Sequence, residues 1–423
     1  MRMKLNRLSQ LLLVSGVSLL AAGLVTGCGT LTVDFVYVAS ALAAGPNSYG
    51  QVDVFEVNSE SGKMRQIPTS PFPSGGRNPV AEAAAPDNAD LYVVNEDDNT
   101  IVQFVIGNDG KLYPQNTVNT PGVFPLAVAV SGPNLYLLDT YQPLPSCSTA
   151  SPCSGSVAVF PILTLDQAKV LNPAQPVDTL GTVVANGSQN YWALCLSGYT
   201  LSAGTWSCKA TESDVIVPTG VTAAASGAYL YVTAYDATAG GGYVFGFTAN
   251  SDGTLIPMNN GAAPFPVGIH PSAIAADPGG NYVYVTDFAK ADVLVYQINA
   301  GHLTPLNGSP FASGNGPAAI VVDATGKYVF VVNSQDSNMT AYSASSGTLQ
   351  SLGTFTTGTL PVAVGIDPSV NDHIYTANFL GNSVTAFTLN SSNGTLLNSQ
   401  SSPSISNSEP TAVAAIPHGS VKK

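Results

Sequence analysis

The sequence predicts an all-β chain, a seven-bladed β-propeller of four-stranded blades closed by pairing of its N- and C-terminal strands. Three observations predict it. An aromatic phrase inside a β run recurs seven times: FVYVAS at 35–40, LYVVN at 91–95, LYLLD at 135–139, LYVTA at 230–234, VYVTD at 283–287, VFVVN at 329–333 and IYTAN at 374–378. A Gly-containing hairpin turn followed by an apolar residue returns in step with it, as at 61–64, 109–112, 252–255, 300–303, 346–349 and 393–396. The chain ends are complementary: the first unit opens on the aromatic phrase without a Pro-led strand, and the C-terminus supplies a spare one, Pro410–Ile416. Repeats of this length and β composition are the signature of a propeller, and ring closure removes the exposed strand edges of an open array.

The elements follow in chain order. Arg2, Lys4 and Arg7 precede an apolar run from Leu11 to Val25, which is short for a membrane span and fits a secretory signal. The run ends Leu24-Val25-Thr26-Gly27-Cys28, which resembles the lipobox of bacterial lipoproteins. The expectation is cleavage after residue 27, lipidation of Cys28, a tether over 28–32 and a propeller over 33–417, with a tail at 418–423. The chain would then be exported and held on the bacterial cell envelope, at the periplasmic or outer-membrane surface, by acyl chains alone. Removal of residues 1–27 takes away three basic groups and no acid, so the formal charge of −13 becomes −16. Such a body is a poor partner for nucleic acid.

Each blade reads as a Pro-led inner strand (Pro271–Ala276), the aromatic phrase, a third alternating strand (Val293–Ile298), then the Gly turn and a fourth strand. The aromatics at 37, 92, 136, 231, 284, 330 and 375 lie 55, 44, 95, 53, 46 and 45 residues apart. The outlier predicts an insertion in blade 3, about 172–214. An eighth, degenerate blade fits the same length, but nothing between Leu180 and Val217 repeats the pattern. Cys147, Cys153, Cys195 and Cys208 remain in the exported chain, and nearest-neighbour disulfides, Cys147–Cys153 and Cys195–Cys208, are expected. A zinc site would want a CxxC pair or a nearby His, and neither is present.

The Pro-led strand, the YVTN-like phrase and the Gly-turn-Leu hairpin resemble the seven-bladed lactonase family, the 6-phosphogluconolactonase-like and YVTN-repeat propellers, from about Val33 to Ile416. The resemblance implies the fold and a lactone hydrolase. In such lactonases His commonly follows the strand-leading Pro, and basic residues gather at the channel mouth. Here those positions hold Val80, Leu126, Thr219, Ser272, Ala318, Val362 and Thr411, and the exported chain has only Arg65 and Arg77. A phosphorylated lactone would want several cationic donors, so that activity is not carried over.

Candidate residues are few. Glu82 is the one acid in a column otherwise filled by Val128, Val221, Ile274, Ile320, Val364 and Val413, with Arg77 as its expected partner. His270 precedes Pro271 and so belongs to a loop at the channel mouth. Both are candidate general bases for water. His302, His373 and His418 read as surface residues. The loops after the aromatic phrase put Asn95, Asp287, Lys290, Asn333 and Asn378, with Arg77, on a candidate ligand-binding rim for a carbohydrate, a lactone or an envelope protein. No cofactor or metal is called for, and a monomer is expected. The reading favoured by the missing basic cluster is a binding scaffold at the rim; the alternative is a lactone hydrolase.

Overall fold

The computed structural model describes residues 33–417, except 45–46, 59–60, 165–177, 212, 368–372 and 407–408. The signal segment, Cys28, the tether and His418 lie outside the described residues. Among those described, seven antiparallel sheets built on a four-strand path are present, five of them with a short fifth strand paired to the third, and one extra two-stranded hairpin. Their inner strands are Pro410–Ile416 (blade 1), Pro79–Ala84 (2), Val123–Ser131 (3), Ile216–Ala224 (4), Pro271–Ala276 (5), Pro317–Val322 (6) and Pro361–Ile366 (7). Each lies against the next, and the seventh lies against the first, so the ring is closed.

Closure uses both chain ends, as the sequence predicts. The strand Val33–Ala44 pairs on one side with Tyr49–Asn58 and on the other with the C-terminal strand, in the register Phe35↔Ile416 to Ala39↔Ala412. The Thr411 hydroxyl donates to Ala39 O (3.1 Å) and to Pro79 O of blade 2 (2.7 Å). Ser272 occupies the same place in blade 5 and donates to Pro317 O of blade 6. Blade 7 reaches blade 1 through the Ser406 hydroxyl, which donates to the buried Asp53 carboxylate at 2.8 Å.

The two sequence motifs meet across blade seams. Tyr37 Oη donates to Gly110 O at 3.1 Å, and Tyr231 Oη to Gly301 O at 2.8 Å, each reaching the hairpin turn of the next blade. Gly110 and Gly301 have φ of 77° and 86°, and a Cβ there would come within 2.5 Å of Phe35 and 2.8 Å of Tyr229. The turn glycine is therefore required by the neighbouring aromatic as well as by its own conformation. Tyr231→Phe should leave Gly301 O without its donor and lower stability by about 1 kcal/mol. Thermal unfolding checks this, and an unchanged melting temperature would deny the latch.

At the seam between blades 7 and 1 lies His373, which is fully buried. Its Nδ1 lies 3.2 Å from Thr388 Oγ1, and Gly62 of blade 1 closes over it. This corrects the expectation of a surface histidine: it starts the second strand of its blade, His373–Asn378, the position occupied by Tyr229 and Tyr282 elsewhere.

The extra chain of blade 3 is narrower than 172–214. Asp178–Leu180 is the fourth strand of the blade, and Trp192–Ala193 pairs with its third. What remains is the hairpin Tyr199–Ser202 with Thr205–Cys208, fastened by a Cys195–Cys208 disulfide; Cys147–Cys153 is the second disulfide. Trp192 and Tyr199 pack into a core shared with Phe245, Phe247 and Leu255, and Trp192 Nε1 donates to Leu255 O at 3.1 Å. The insertion thus fills the seam between blades 3 and 4.

One repeated device has a sequence signal that the pattern of strands alone does not expose. Ser70, Ser309 and Ser402 each precede a proline, and their hydroxyls accept the N–H of Val54, Val295 and Ala386 at 2.8–2.9 Å. The Ser-Pro pairs tie the outer edge of blades 1, 5 and 7 to the third strand.

Candidate functional site

The channel mouth lies where the inner strands begin and the second strands end. At that end the carbonyl one residue before the leading proline is pinned, in six of the seven blades, to the end of the second strand or the loop beyond it. Ala41 N–H donates to Glu409 O, Glu96 to Asn78 O, Phe288 to His270 O, Ser334 to Gly316 O and Phe379 to Leu360 O, all at 2.8–3.0 Å. The Thr140 hydroxyl does the same for Phe124 O at 2.7 Å. Each of these blades therefore presents one residue before its proline and one or two beyond its second strand, and these are where the blades differ chemically.

In blade 5 this arrangement carries His270. Its ring stacks on Tyr235 of blade 4 at 4.1 Å between centroids and 31° between planes, and faces Phe288 at 5.9 Å. All three side chains are partly exposed. His270 Nδ1 is buried and has no hydrogen-bond partner. The Asp287 carboxylate fixes both loops: it accepts the N–H groups of Ile269 (2.6 Å), His270 (3.2 Å), Ala289 (3.0 Å) and Lys290 (3.3 Å). Four donors to one buried carboxylate hold the loops that carry His270 and Phe288. Nearby Asp292 has its pKa raised, chiefly by burial and then by Asp287, with Lys290 opposing.

The expected rim is placed differently from the way the sequence suggests. Asn95, Asp287, Asn333 and Asn378 are fully buried at the ends of their strands. Asn333 Nδ2 donates to Asn338 Oδ1 (2.7 Å) and Thr340 Oγ1 (2.8 Å), and Asn378 Nδ2 to Ser383 and Thr385 hydroxyls. A Cβ added at Gly76, Gly268, Gly314 or Gly358 would come within 2.7 Å of one of these four side chains, so the entering loop closes over them. They organise the loops from inside the blade. Lys290 alone of that group has an exposed side chain free of a described ion pair.

Arg77 is not the partner of Glu82. Its guanidinium pairs with the partly exposed Asp98 at 2.6 Å, which holds that carboxylate below its usual range. Arg65 is likewise paired, with Glu56. The five-residue spacing places Arg77 in the loop outside the strand, while Glu82 lies well inside it.

Glu82 sits in the seam of blades 1 and 2, beside the closing strand. Its aliphatic stem is partly exposed, but both carboxyl oxygens are shielded from solvent and neither makes a hydrogen bond of good geometry. Burial pushes its pKa up to about 8, against a lowering influence from the backbone of Ala39 and Ala414. A second buried acid, Asp139, is pushed up to about 7 by burial, although Gly122 N–H donates to it at 3.0 Å. Glu82 and His270 belong to blades 2 and 5, with blades 3 and 4 between them, so the structure does not bring the two candidate bases into one sector. Among the described residues no group of three or more His, Cys, Asp or Glu is gathered for a metal.

Comparison with known proteins agrees with this architecture. The family described as lactonase, 7-bladed beta-propeller, matches residues 301–415. The periplasmic gluconolactonase of Pseudomonas aeruginosa superposes with a TM-score of 0.67 at 19% identity, over 91% of this chain and 99% of that one. A Bacteroides fragilis protein assigned as a 6-phosphogluconolactonase gives 0.66 at 18% identity, over 92% and 99%. At these identities the likeness is one of fold. No curated protein matches the sequence.

Proposed function

Because the chain is a seven-bladed propeller that carries the lactonase signature over residues 301–415, we propose that it hydrolyses uncharged lactones at its channel mouth, with His270 moving the proton. The observation that supports this reading is the partly exposed His270 ring, stacked on Tyr235 and flanked by Phe288 on loops fixed by Asp287. In the reaction a water oxygen adds to the lactone carbonyl while His270 takes its proton. The ring C–O bond then breaks, and the proton passes to the departing alkoxide to give the open hydroxy acid. Phosphorylated substrates fit poorly, because both described arginines are already paired. The same shortage of cations for an oxyanion favours a second reading, a rim that binds without turnover.

A panel of sugar and aliphatic lactones, assayed with the purified mature protein, tests this. His270→Ala should lower kcat/KM by roughly 100-fold or more. Equal turnover in wild type and variant would remove His270 from the reaction, and no turnover of any lactone would favour the binding reading.

We also propose that the protein is exported and anchored by lipid on Cys28. Two disulfides suit an oxidising compartment, and no described helix is long and apolar enough to cross a membrane. Val33 begins its strand at the end remote from the mouth, so a tether there would turn the mouth away from the membrane. Cys28→Ser should release the protein from membranes or block its processing. Recovery of the variant at mature size in the membrane fraction would refute the anchor.

A further inference from the structure

The mouth is divided by chemistry, and the division bears on which lactones it would take. Blades 1 and 2 contribute Glu409, Glu96 and Asp97, with Arg77 near Asp97, Asn78 Nδ2 donating to Glu96 at 2.6 Å, and Leu42 of blade 1 as an exposed apolar residue among them. Glu96 has its pKa raised by burial and by Asp97 beside it. Blades 3, 5 and 7 contribute Phe124, Tyr141, Phe288, Leu360 and Phe379 at the equivalent places, and blade 4 contributes Tyr235, which pairs with Val217 before Pro218. Phe124 and Tyr141 meet edge to face at 6.0 Å, and the Tyr235–His270 stack with Phe288 beside it continues the apolar sector.

Two of these apolar groups are held in a costly conformation. Phe124 has φ of 57° and Leu360 of 52°, both immediately before a proline. A large side chain in the left-handed region is unfavourable by about 1–3 kcal/mol and persists only where surrounding bonds enforce it. For Phe124 those bonds are its N–H to Asn99 Oδ1 and its C=O from the Thr140 hydroxyl, both 2.7 Å.

We propose that the mouth selects lactones carrying an apolar substituent, an alkyl or aryl chain, over polyhydroxylated or anionic ones. The acids of blades 1 and 2 outnumber Arg77, the one arginine among them, and so disfavour an anionic substituent, and the aromatic sector beside His270 offers the substituent a surface to leave water. The inference rests on the lactonase reading for its choice of headgroup. The apolar sector stands on its own.

The test is a series of γ-lactones from butyrolactone to decanolactone, with gluconolactone for comparison, measured with the purified mature protein. KM should fall about three- to fourfold per added methylene until the sector is filled. Phe288→Ala and Tyr235→Ala should flatten that dependence, seen as a smaller ratio of kcat/KM between the longest and shortest members. A KM independent of chain length, or a preference for gluconolactone, overturns the inference and leaves the hydrolase standing. If no lactone is turned over, calorimetric titration with the same series decides it. Affinity rising with chain length supports the apolar sector, and chain-independent or absent binding overturns it.

Discussion

A chain lacking residues 408–423 should fail to unfold as a single cooperative unit and should lose most of its thermal stability. The deleted segment contains Pro410–Ile416, the inner strand of blade 1, whose partners lie at the other end of the chain. Its removal exposes the edge of Val33–Ala44 and takes Ile416 from the core around Phe35, Tyr37 and Val93. Val413 and Ala415 leave the core around Val36 and Val38, and Thr411 no longer bridges blade 1 to blade 2. An open edge is also a template for association with other chains. Calorimetry and light scattering measure both effects, with a chain ending at residue 417 as the control. A truncated protein with an unchanged melting temperature would mean that the ring is held by something other than this strand.

The second large effect is expected at Glu82. Its folded pKa of about 8 lies above the ordinary glutamate value of 4.5, so between those values the folded state holds a proton that the unfolded state has released. Stability contributed by this group is therefore fully present at low pH. It is lost as pH rises from about 4.5 to about 8, and is constant above that. With each pH unit of that interval worth about 1.4 kcal/mol, the loss is on the order of 4–5 kcal/mol as an upper bound. Glu82→Gln keeps the shape and removes the titration, so the variant should be the more stable protein at pH 9 and differ little at pH 4.5. Denaturant unfolding across that range tests it, with Asp139→Asn tested alongside because Asp139 has a pKa raised to about 7. Parallel wild-type and Glu82→Gln curves would show that the carboxyl is solvated in solution.

The closing strand and the buried acid are both visible in the sequence, though to different depths. The aromatic phrases, the leading prolines and the turn glycines each encode a strand or hairpin locally. Seven repetitions leave a closed ring as the arrangement that buries every blade face. The spare strand at 410–416 predicts its partner at 35–39, and the cysteine spacing predicts both disulfides. Glu82 stands out because one acid interrupts an aliphatic column.

What those residues touch emerges only when the chain is folded. Arg77 is five positions from Glu82, but a loop and a strand interior are different environments, and only the fold shows that Asp98 captures the guanidinium. Asn95, Asn333 and Asn378 look like rim ligands because strand ends lead to loops; burial under the entering glycine loop makes them internal ties. His373 resembles any turn histidine until the seam between blades 7 and 1 covers it. The division of the mouth joins residues from blades far apart in sequence, so local pattern carries no trace of it. The repeat and its closure are written in the chain itself, because they follow from short-range propensity and periodicity. The chemistry of the mouth belongs to the ring, which sets side chains hundreds of residues apart around one opening.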